Sequence, residues 1–217
     1  AGLAVNIQSQ AGIAIGFTDQ DYQQSGATIL SSAPEVYESS DLIVKVKEPL
    51  PEEFKFLSSD KALFTYLHLA GNKSQAVELM NTGVTGIAYE TVTSSDGSLP
   101  LLAPMSKIAG QISVVVGQYF LLKPNGGIGT ILGSVENIER RVVTVIGAGV
   151  AGTEAIKKAI ANDAHLKILD LSQKRLDELQ EQFGTNNIEY ILSDSASISS
   201  ALEASDLVIG SVYVLGK

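Results

Sequence analysis

The chain has 217 residues, of which 45% are hydrophobic, and its formal net charge at pH 7 is −9. This length suits one large or two small domains, and the absence of cysteine excludes disulfides, thiol nucleophiles and cysteine-based zinc sites. Scattered lysines and arginines argue against a nucleic-acid partner. No apolar run reaches the roughly 18 residues of a membrane span, and no signal segment opens the sequence, which favours a cytoplasmic protein.

In the first half of the sequence, short apolar segments alternate with segments of helical composition. Thr18, with Asp21 three residues later, is predicted to cap a short helix. Pro49 and Pro51 end the apolar segment 41–46 and turn the chain. The predicted strands are 3–7, 27–30, 41–46, 62–67 and 84–89, and two further helices are predicted at 33–38 and 74–81. Alternation of this kind indicates parallel α/β structure.

The second half begins with a long, mostly apolar segment at 106–122, which we interpret as a helix joining two domains. A glycine-rich connection follows at 123–133. Beyond residue 170, helices are predicted at 173–183 and 199–204, and strands at 188–192 and 207–209. We therefore predict an α/β protein of two parallel-sheet domains, at 1–105 and 106–217.

The segment 141–170, RVVTVIGAGVAGTEAIKKAIANDAHLKILD, predicts a strand, a glycine turn, a helix and a second strand. Gly147 permits the tight turn, Gly149 lets a diphosphate approach the backbone, and Gly152 lets the helix pack near the strand. The helix N-terminus directs N–H groups and partial positive charge at the phosphates. Asp170 would bind a ribose 2′-hydroxyl and repel a 2′-phosphate. The segment predicts a Rossmann-type NAD-binding domain, the alternative being a turn that serves only packing.

Three ionisable residues, Lys47, His68 and Glu90, follow the carboxyl ends of predicted strands. Ligands of parallel sheets bind beyond these ends, so all three could face one cleft. His68 could be a general acid/base or a partly buried structural histidine. Lys45 and Lys47 are expected to point to one face while the strand stays extended. Either could bind a substrate carboxylate, polarise a carbonyl or remain solvated. Glu90 could bind substrate, orient His68 or make a structural hydrogen bond.

The other polar residues carry weaker signals. His165 lies in the turn NDAH and is interpreted as solvated. The serine-rich segment 193–200 has no nearby base and is interpreted as a polar turn after a strand. Two distant histidines and scattered carboxylates show no metal-ligand spacing, so no metal site is predicted.

Several motifs, in order and over nearly the whole chain, resemble the alanine dehydrogenase family. They are DLIVKVKEPL (41–50), LFTYLHLA (63–70), GIAYETV (86–92), DGSLPLLAPMSKIAG (96–110), VIGAGVAG (145–152) and DLVIGSV (206–212). The α subunit of the membrane transhydrogenase shares the architecture and the glycine turn but lacks the KEP, HLA and AYET set, and it ranks second.

The resemblance implies reversible oxidation of L-alanine by NAD, giving pyruvate and ammonia. It implies that Lys47 binds the substrate carboxylate, that His68 is both a substrate contact and the acid/base beside the reacting carbon, and that domain 1–105 is catalytic. The implied cofactor contacts, beyond the turn glycines, are Ser106, Val150, Asp170, Arg175, Ser193, Val212 and Tyr213. The chain departs from the family pattern at Lys107, Tyr213 and Leu215, where an acidic residue, leucine and proline are usual.

The resemblance also implies a homo-oligomer, commonly a hexamer. It places a substrate-binding arginine upstream of Ala1 and a catalytic aspartate downstream of Lys217, together with strands that complete both domains. We therefore expect both domains to be incomplete and the 217-residue chain alone to have little or no activity. Two alternatives stay open: a transhydrogenase-like NAD-binding subunit, and an inactive, truncated NAD-binding remnant.

Overall fold

The computed structural model describes residues 2–212 and divides into two units, Ala1–Leu99 and Pro100–Lys217. Both units are built from short parallel strands connected by helices, which confirms the predicted α/β class. Within residues 2–212, no helix has the length and apolar character that a membrane crossing requires. Tyr213, one of the predicted cofactor contacts, lies outside the described residues.

The first unit contains two parallel sheets. Its strands are β1 (Asn6–Gln8), β2 (Thr28–Leu30), β3 (Leu42–Val44), β4 (Ala62–Thr65) and β5 (Thr85–Ala88), and its helices are α1 (Asp19–Gln24), α2 (Ala33–Glu38) and α3 (Lys73–Thr82). Strand β1 pairs with β2, and β4 lies between β3 and β5. Helix α1 has the predicted capping box, because Thr18 accepts from the Asp21 backbone and the Asp21 carboxylate accepts from that of Thr18.

The core of the first unit lies beside the three-stranded sheet. Ile43 on β3 and Leu63 on β4 are paired in register and are both buried. Their buried neighbours in the same cluster are Tyr37, Leu57, Leu67 and Leu79. This small core fixes β4, whose carboxyl end precedes His68.

The second unit contains one parallel sheet in the order β8-β7-β6-β9. Its elements are α4 (Ala103–Leu121), β6 (Val142–Ile146), α5 (Val150–Ala161), β7 (His165–Asp170), α6 (Gln173–Phe183), β8 (Ile188–Leu192), α7 (Ser195–Glu203) and β9 (Leu207–Gly210). Strand β6 pairs with β7 on one side and with β9 on the other. The chain therefore adds β7 and β8 in one direction across the sheet and β9 in the other, and this reversal lies beside β6. This topology is Rossmann-type, and such reversals are where open α/β sheets bind ligands.

Several predicted features differ from the structure. The serine-rich segment 193–200 is not a polar turn, because Asp194 and Ser197 form a capping box and α7 begins at Ser195, four residues before the helix predicted at 199–204. Strand β4 ends at Thr65, two residues earlier than expected, so His68 does not directly follow a strand. Strand β3 ends at Val44, so the extended conformation that would orient Lys45 and Lys47 alike is absent. The predicted helix at 106–122 begins earlier, at Ala103, where Pro104 occupies the first turn.

Candidate cofactor and substrate sites

The glycine turn between β6 and α5 requires glycine at two positions for different reasons. Gly147 has φ +90°, a left-handed conformation that favours glycine. A Cβ on Gly152 would lie 1.9 Å from the Gly147 carbonyl oxygen, so the first turn of α5 could not pack as it does. A Cβ on Gly149 would meet no atom within 4 Å. The turn is therefore closed on its inner side and open at Gly149.

The N-terminus of α5 differs from those of the next two helices. Ser172 caps α6 and Asp194 caps α7 with side-chain oxygens, whereas no side chain caps α5 at Gly149. No acidic residue lies in the first turn of α5. Its partial positive charge therefore faces the open side of the turn without a side-chain acceptor from residues 2–212.

Asp170, the last residue of β7, connects that strand to the glycine turn. One carboxylate oxygen accepts from the Ala148 N–H at 2.7 Å, and the other accepts from the Ser172 N–H at 2.9 Å. Because each carboxylate oxygen can accept a second hydrogen bond, both keep capacity for a ligand hydroxyl. Ser193, directly after β8, donates its N–H to the Asp170 carbonyl at 2.9 Å. The structure thus brings Asp170 and Ser193 together.

Arg175 on α6 also contacts the turn. Its Nε donates to the Ala148 carbonyl at 2.9 Å, one Nη donates to Thr153 at 2.7 Å, and the other pairs with Glu178 at 3.0 Å. Its guanidinium therefore braces the turn against the start of α5.

The chain after β9 closes the other side of the turn. A Cβ on Gly147 would lie 3.0 Å from the Val212 side chain, and Ser211 donates its hydroxyl to the Gly147 carbonyl at 2.5 Å. The sequence prediction included Val212 but not Ser211, Ala148 or Thr153. The only sequence signal for Ser211 is its place directly after the apolar strand β9.

Helix α4 packs beside α5. A Cβ on Gly110 would lie 2.1 Å from the Ala151 carbonyl oxygen, so the two helices are in close contact at this point. Ser106, half-buried, lies one turn earlier on α4. A pocket of about 410 Å³ opens at the start of α5, with lining residues Lys107, Gly149, Val150, Thr153, Glu154, Lys157, Arg175 and Gln182.

The first unit gives the two lysines different environments. Lys45 forms an ion pair with Glu53, which also accepts from the Leu50 N–H, and the Lys45 side chain is 21% exposed. The Lys47 side chain is 66% exposed, and its ammonium lies 4.0 Å from Glu48. The Lys47 carbonyl accepts a hydrogen bond from the buried Thr65 hydroxyl at 2.7 Å, which holds its backbone beside the end of β4. Of these two lysines, Lys47 thus has the more accessible ammonium.

His68 lies in the left-handed conformation, with φ 49° and ψ 34°, and its side chain is exposed. Its ring stacks on Tyr66 with 6.0 Å between centroids. The Glu90 carboxylate accepts from the His68 N–H at 2.7 Å and from the Leu67 N–H at 3.2 Å. Glu90 therefore makes a structural bond that positions the His68 backbone, one of the three roles left open by the sequence. Lys47 and His68 follow adjacent strands at one sheet edge.

His165 corrects the sequence interpretation of a solvated turn residue. It is the first residue of β7, and its Nε2 lies 2.9 Å from Glu189 on the neighbouring strand β8. The error arose because cross-strand partners are not visible in local sequence. Over residues 2–212, no three His, Asp or Glu side chains are grouped so that they could hold a metal ion.

The sequence was compared with protein families and with known proteins. The family model described as alanine dehydrogenase/PNT, N-terminal domain, matches residues 1–109, and that for the C-terminal domain matches 113–217. Alanine dehydrogenases of Methanococcus maripaludis and Geobacillus stearothermophilus are 43% and 42% identical over 216 residues, which is 100% of this chain and 58% of each relative. The chain therefore spans little more than half the length of these relatives.

The matches among solved structures agree with these sequence similarities. An L-alanine dehydrogenase structure has a TM-score of 0.85 and 46% identity, covering 100% of this chain and 59% of its own. A transhydrogenase from Sinorhizobium meliloti has a TM-score of 0.73 at 22% identity, with 100% of this chain and 62% of its own covered, and shares the fold. Together with the two family models, which match nearly every residue, these similarities show that the chain belongs to the alanine dehydrogenase/PNT family.

Proposed function

We propose that the protein is an NAD-dependent alanine dehydrogenase, which reversibly converts L-alanine, NAD and water to pyruvate, ammonium, NADH and a proton. The observation that carries the proposal is the glycine turn, which is open at Gly149 and bonded to the Asp170 carboxylate, in a chain whose whole sequence matches part of proteins named alanine dehydrogenase. The domain division at residues 105 and 106 and a homo-oligomeric assembly are parts of the same proposal.

The residues of the second unit fit the dinucleotide. The open space at Gly149 and the uncapped N-terminus of α5 suit a diphosphate, because nothing fills the position that a side chain would take. Asp170 keeps acceptor capacity for a ribose hydroxyl, and its negative charge would repel a 2′-phosphate. These features support NAD rather than NADP as the cofactor. Ser106, Gly147, Val150, Gly152, Arg175, Ser193, Val212 and Tyr213 complete the proposed binding set.

In the first unit, Lys47 and His68 are the proposed substrate residues. The accessible Lys47 ammonium would pair with the alanine carboxylate, and this pairing fixes the orientation of the amino acid. NAD, when bound, supplies the hydride acceptor for the substrate Cα. Loss of the Cα hydrogen as hydride would leave an iminium carbon, to which water adds. His68 would take a proton from this water and would return it to the nitrogen, so that the C–N bond breaks and ammonia leaves. The Glu90 carboxylate would hold the His68 backbone in place during these transfers.

The test is alanine-dependent NADH formation by the protein as its native source makes it. We expect His68→Asn to lower kcat by about 100-fold or more, the usual contribution of a positioned acid/base. Asparagine suits the left-handed backbone, so folding should be preserved. Lys47→Gln should mainly raise KM for alanine. Lys73→Gln, a surface substitution in the first turn of α3, is the matched control and should leave both constants unchanged.

NADH binding by the native protein with no alanine turnover would contradict the proposal. That outcome would favour a transhydrogenase-like subunit or an inactive NAD-binding remnant. All three hypotheses include the glycine turn. The enzyme alone requires Lys47 and His68 to act on alanine, and the transhydrogenase-like subunit would need a partner that binds NADP.

A further inference from the structure

The pocket at the start of α5 has an uneven distribution of charge. Its lining includes three cations, Lys107, Lys157 and Arg175, and one carboxylate, Glu154. Lys157 is bonded to Glu154 at 2.7 Å, and Arg175 is bonded to the turn and to Glu178. The Lys107 ammonium takes part in no hydrogen bond or ion pair across residues 2–212. It is thus the lining cation whose charge is available to a ligand.

The packing of α4 on α5 determines where Lys107 lies. Gly110 abuts Ala151, the Gln111 amide donates to Glu154 at 2.9 Å, and, two turns further on, Gln118 donates to Asn162 at 3.1 Å. Residue numbers therefore rise together along the contact, so the two helices run parallel and their N-termini lie at the same end.

Lys107 precedes Gly110 by three residues and Gln111 by four, and it therefore shares their face of α4. At a rise of about 1.5 Å per residue it lies roughly 4.5 Å nearer the N-terminus than Gly110, level with the glycine turn rather than with the body of α5. Its place beside Gly149 and Val150 in the pocket lining agrees with this register. The pKa of Glu154 is lowered mainly by hydrogen bonds from Lys157 and Gln111, and the charge of Lys107 contributes further.

We propose that the Lys107 ammonium binds the diphosphate of the dinucleotide, as a further cofactor-positioning residue next to the glycine turn. This inference rests on the proposed NAD-dependent function. The turn offers the diphosphate backbone N–H groups and a partial charge, whereas Lys107 offers a full charge on a flexible stem that approaches from α4. A diphosphate held from two helices is restricted more than one held by the turn alone.

The experiment is titration of the native protein with NADH, followed by nucleotide fluorescence. We expect Lys107→Gln to weaken NADH binding by about three- to tenfold, the range for a partly exposed charge-assisted contact. Lys107→Glu should weaken it further, and Lys107→Arg should keep most of the affinity. The difference between wild type and Lys107→Gln should narrow in high salt, because charges near the surface are screened.

The matched control is Lys123→Gln and Lys123→Glu, just beyond the C-terminal end of α4. The part of α4 from Lys107 to Leu121 spans about 21 Å, so the control should bind NADH like the wild type. Lys107→Gln removes one charge from an exposed side chain, so its unfolding midpoint should match the wild type. Lys107→Glu places a second carboxylate near Glu154, and its midpoint should fall slightly while the protein still folds.

ADP-ribose, which keeps the diphosphate and lacks the nicotinamide, locates the contact. Equal weakening of NADH and ADP-ribose by Lys107→Gln supports the proposal. Unchanged NADH affinity in Lys107→Glu overturns it, as does a loss confined to NADPH, which would indicate a contact to a 2′-phosphate. If the wild type itself does not bind NADH, the proposed function fails and this inference fails with it.

Discussion

At the carboxyl end of β6 the candidate site is made mostly of backbone, whereas at the carboxyl ends of β3 and β4 it is made of side chains. The glycine turn presents N–H groups and an open position at Gly149, and a side chain at Gly152 would collide with the main chain. Lys47 and His68 instead extend from irregular segments beyond short strands and are exposed. The glycine turn therefore tolerates substitution at few positions. The Lys47 and His68 side chains instead depend on the contacts that hold their backbone segments in place.

The supports of the two sites differ accordingly. The turn is held by Asp170, Arg175 and Ser211, which approach it from β7, α6 and the chain after β9. The backbone at His68 is held by the carboxylate of Glu90, which comes from the segment after β5. Three side chains from different elements therefore hold the turn. At His68 two backbone N–H groups share the one Glu90 carboxylate, while Gln75 donates to the Leu67 carbonyl at 3.0 Å.

The largest effect is expected from Gly152→Ala in the turn. The added Cβ would lie 1.9 Å from the Gly147 carbonyl, so α5 must move from the strand, and we expect a loss of about 3 kcal/mol in unfolding free energy. NADH binding should be lost as well. Denaturant unfolding and NADH titration measure the two effects. Gly149→Ala is the matched control. Its Cβ meets no atom within 4 Å, so it should reduce NADH binding without changing the unfolding free energy. Equal unfolding free energies for the two variants would contradict the close packing inferred at Gly152.

A smaller effect is expected from Glu90→Ala in the first unit. The N–H groups of Leu67 and His68 would lose their acceptor, and because only the Leu67 bond is partly buried we expect a loss of about 1 kcal/mol in unfolding free energy. His68 would also become less ordered, so kcat should fall more than KM changes. Glu90→Gln keeps one acceptor oxygen and should recover most of both. An unchanged Glu90→Ala protein would show that the backbone at His68 has another support.

The smallest effect is expected in the pH dependence of the unfolding free energy that the Glu154 carboxylate contributes at the contact between α4 and α5. Hydrogen bonds from Lys157 and Gln111 lower the pKa of this carboxyl in the folded protein. Its stabilising contribution is therefore present above the unfolded pKa of about 4.3 and is lost as the pH falls through the lower folded value. The stability difference between wild type and Glu154→Gln should shrink on acidification. Lys157→Met should weaken this pH dependence. A stability difference between wild type and Glu154→Gln that stays constant down to pH 3 would show that the Glu154 carboxylate is not the group responsible.

Local sequence predicted the elements of the second unit well. The predicted bounds of α6 and β8 are those of the structure, because apolar runs and the helical period depend on residues close in sequence. Helix α7, in contrast, begins four residues before the helix predicted at 199–204. The glycine spacing and the place of Asp170 were also readable, since a strand–turn–helix unit is short and its conformational demands are local. In the first unit the strands are shorter, and the ends of β3 and β4 were predicted two residues too late.

The sequence by itself determined the fold class, the glycine turn and the chemical identity of the candidate residues. Only the tertiary structure decided that Glu90 holds the His68 backbone, that Lys45 is paired while Lys47 is accessible, and that Lys107 lies level with the turn. Each of these depends on segments that are distant along the chain or on the register of two packed helices. Propensity and periodicity act over a few residues, whereas the partner of a side chain is set by which segments fold against each other.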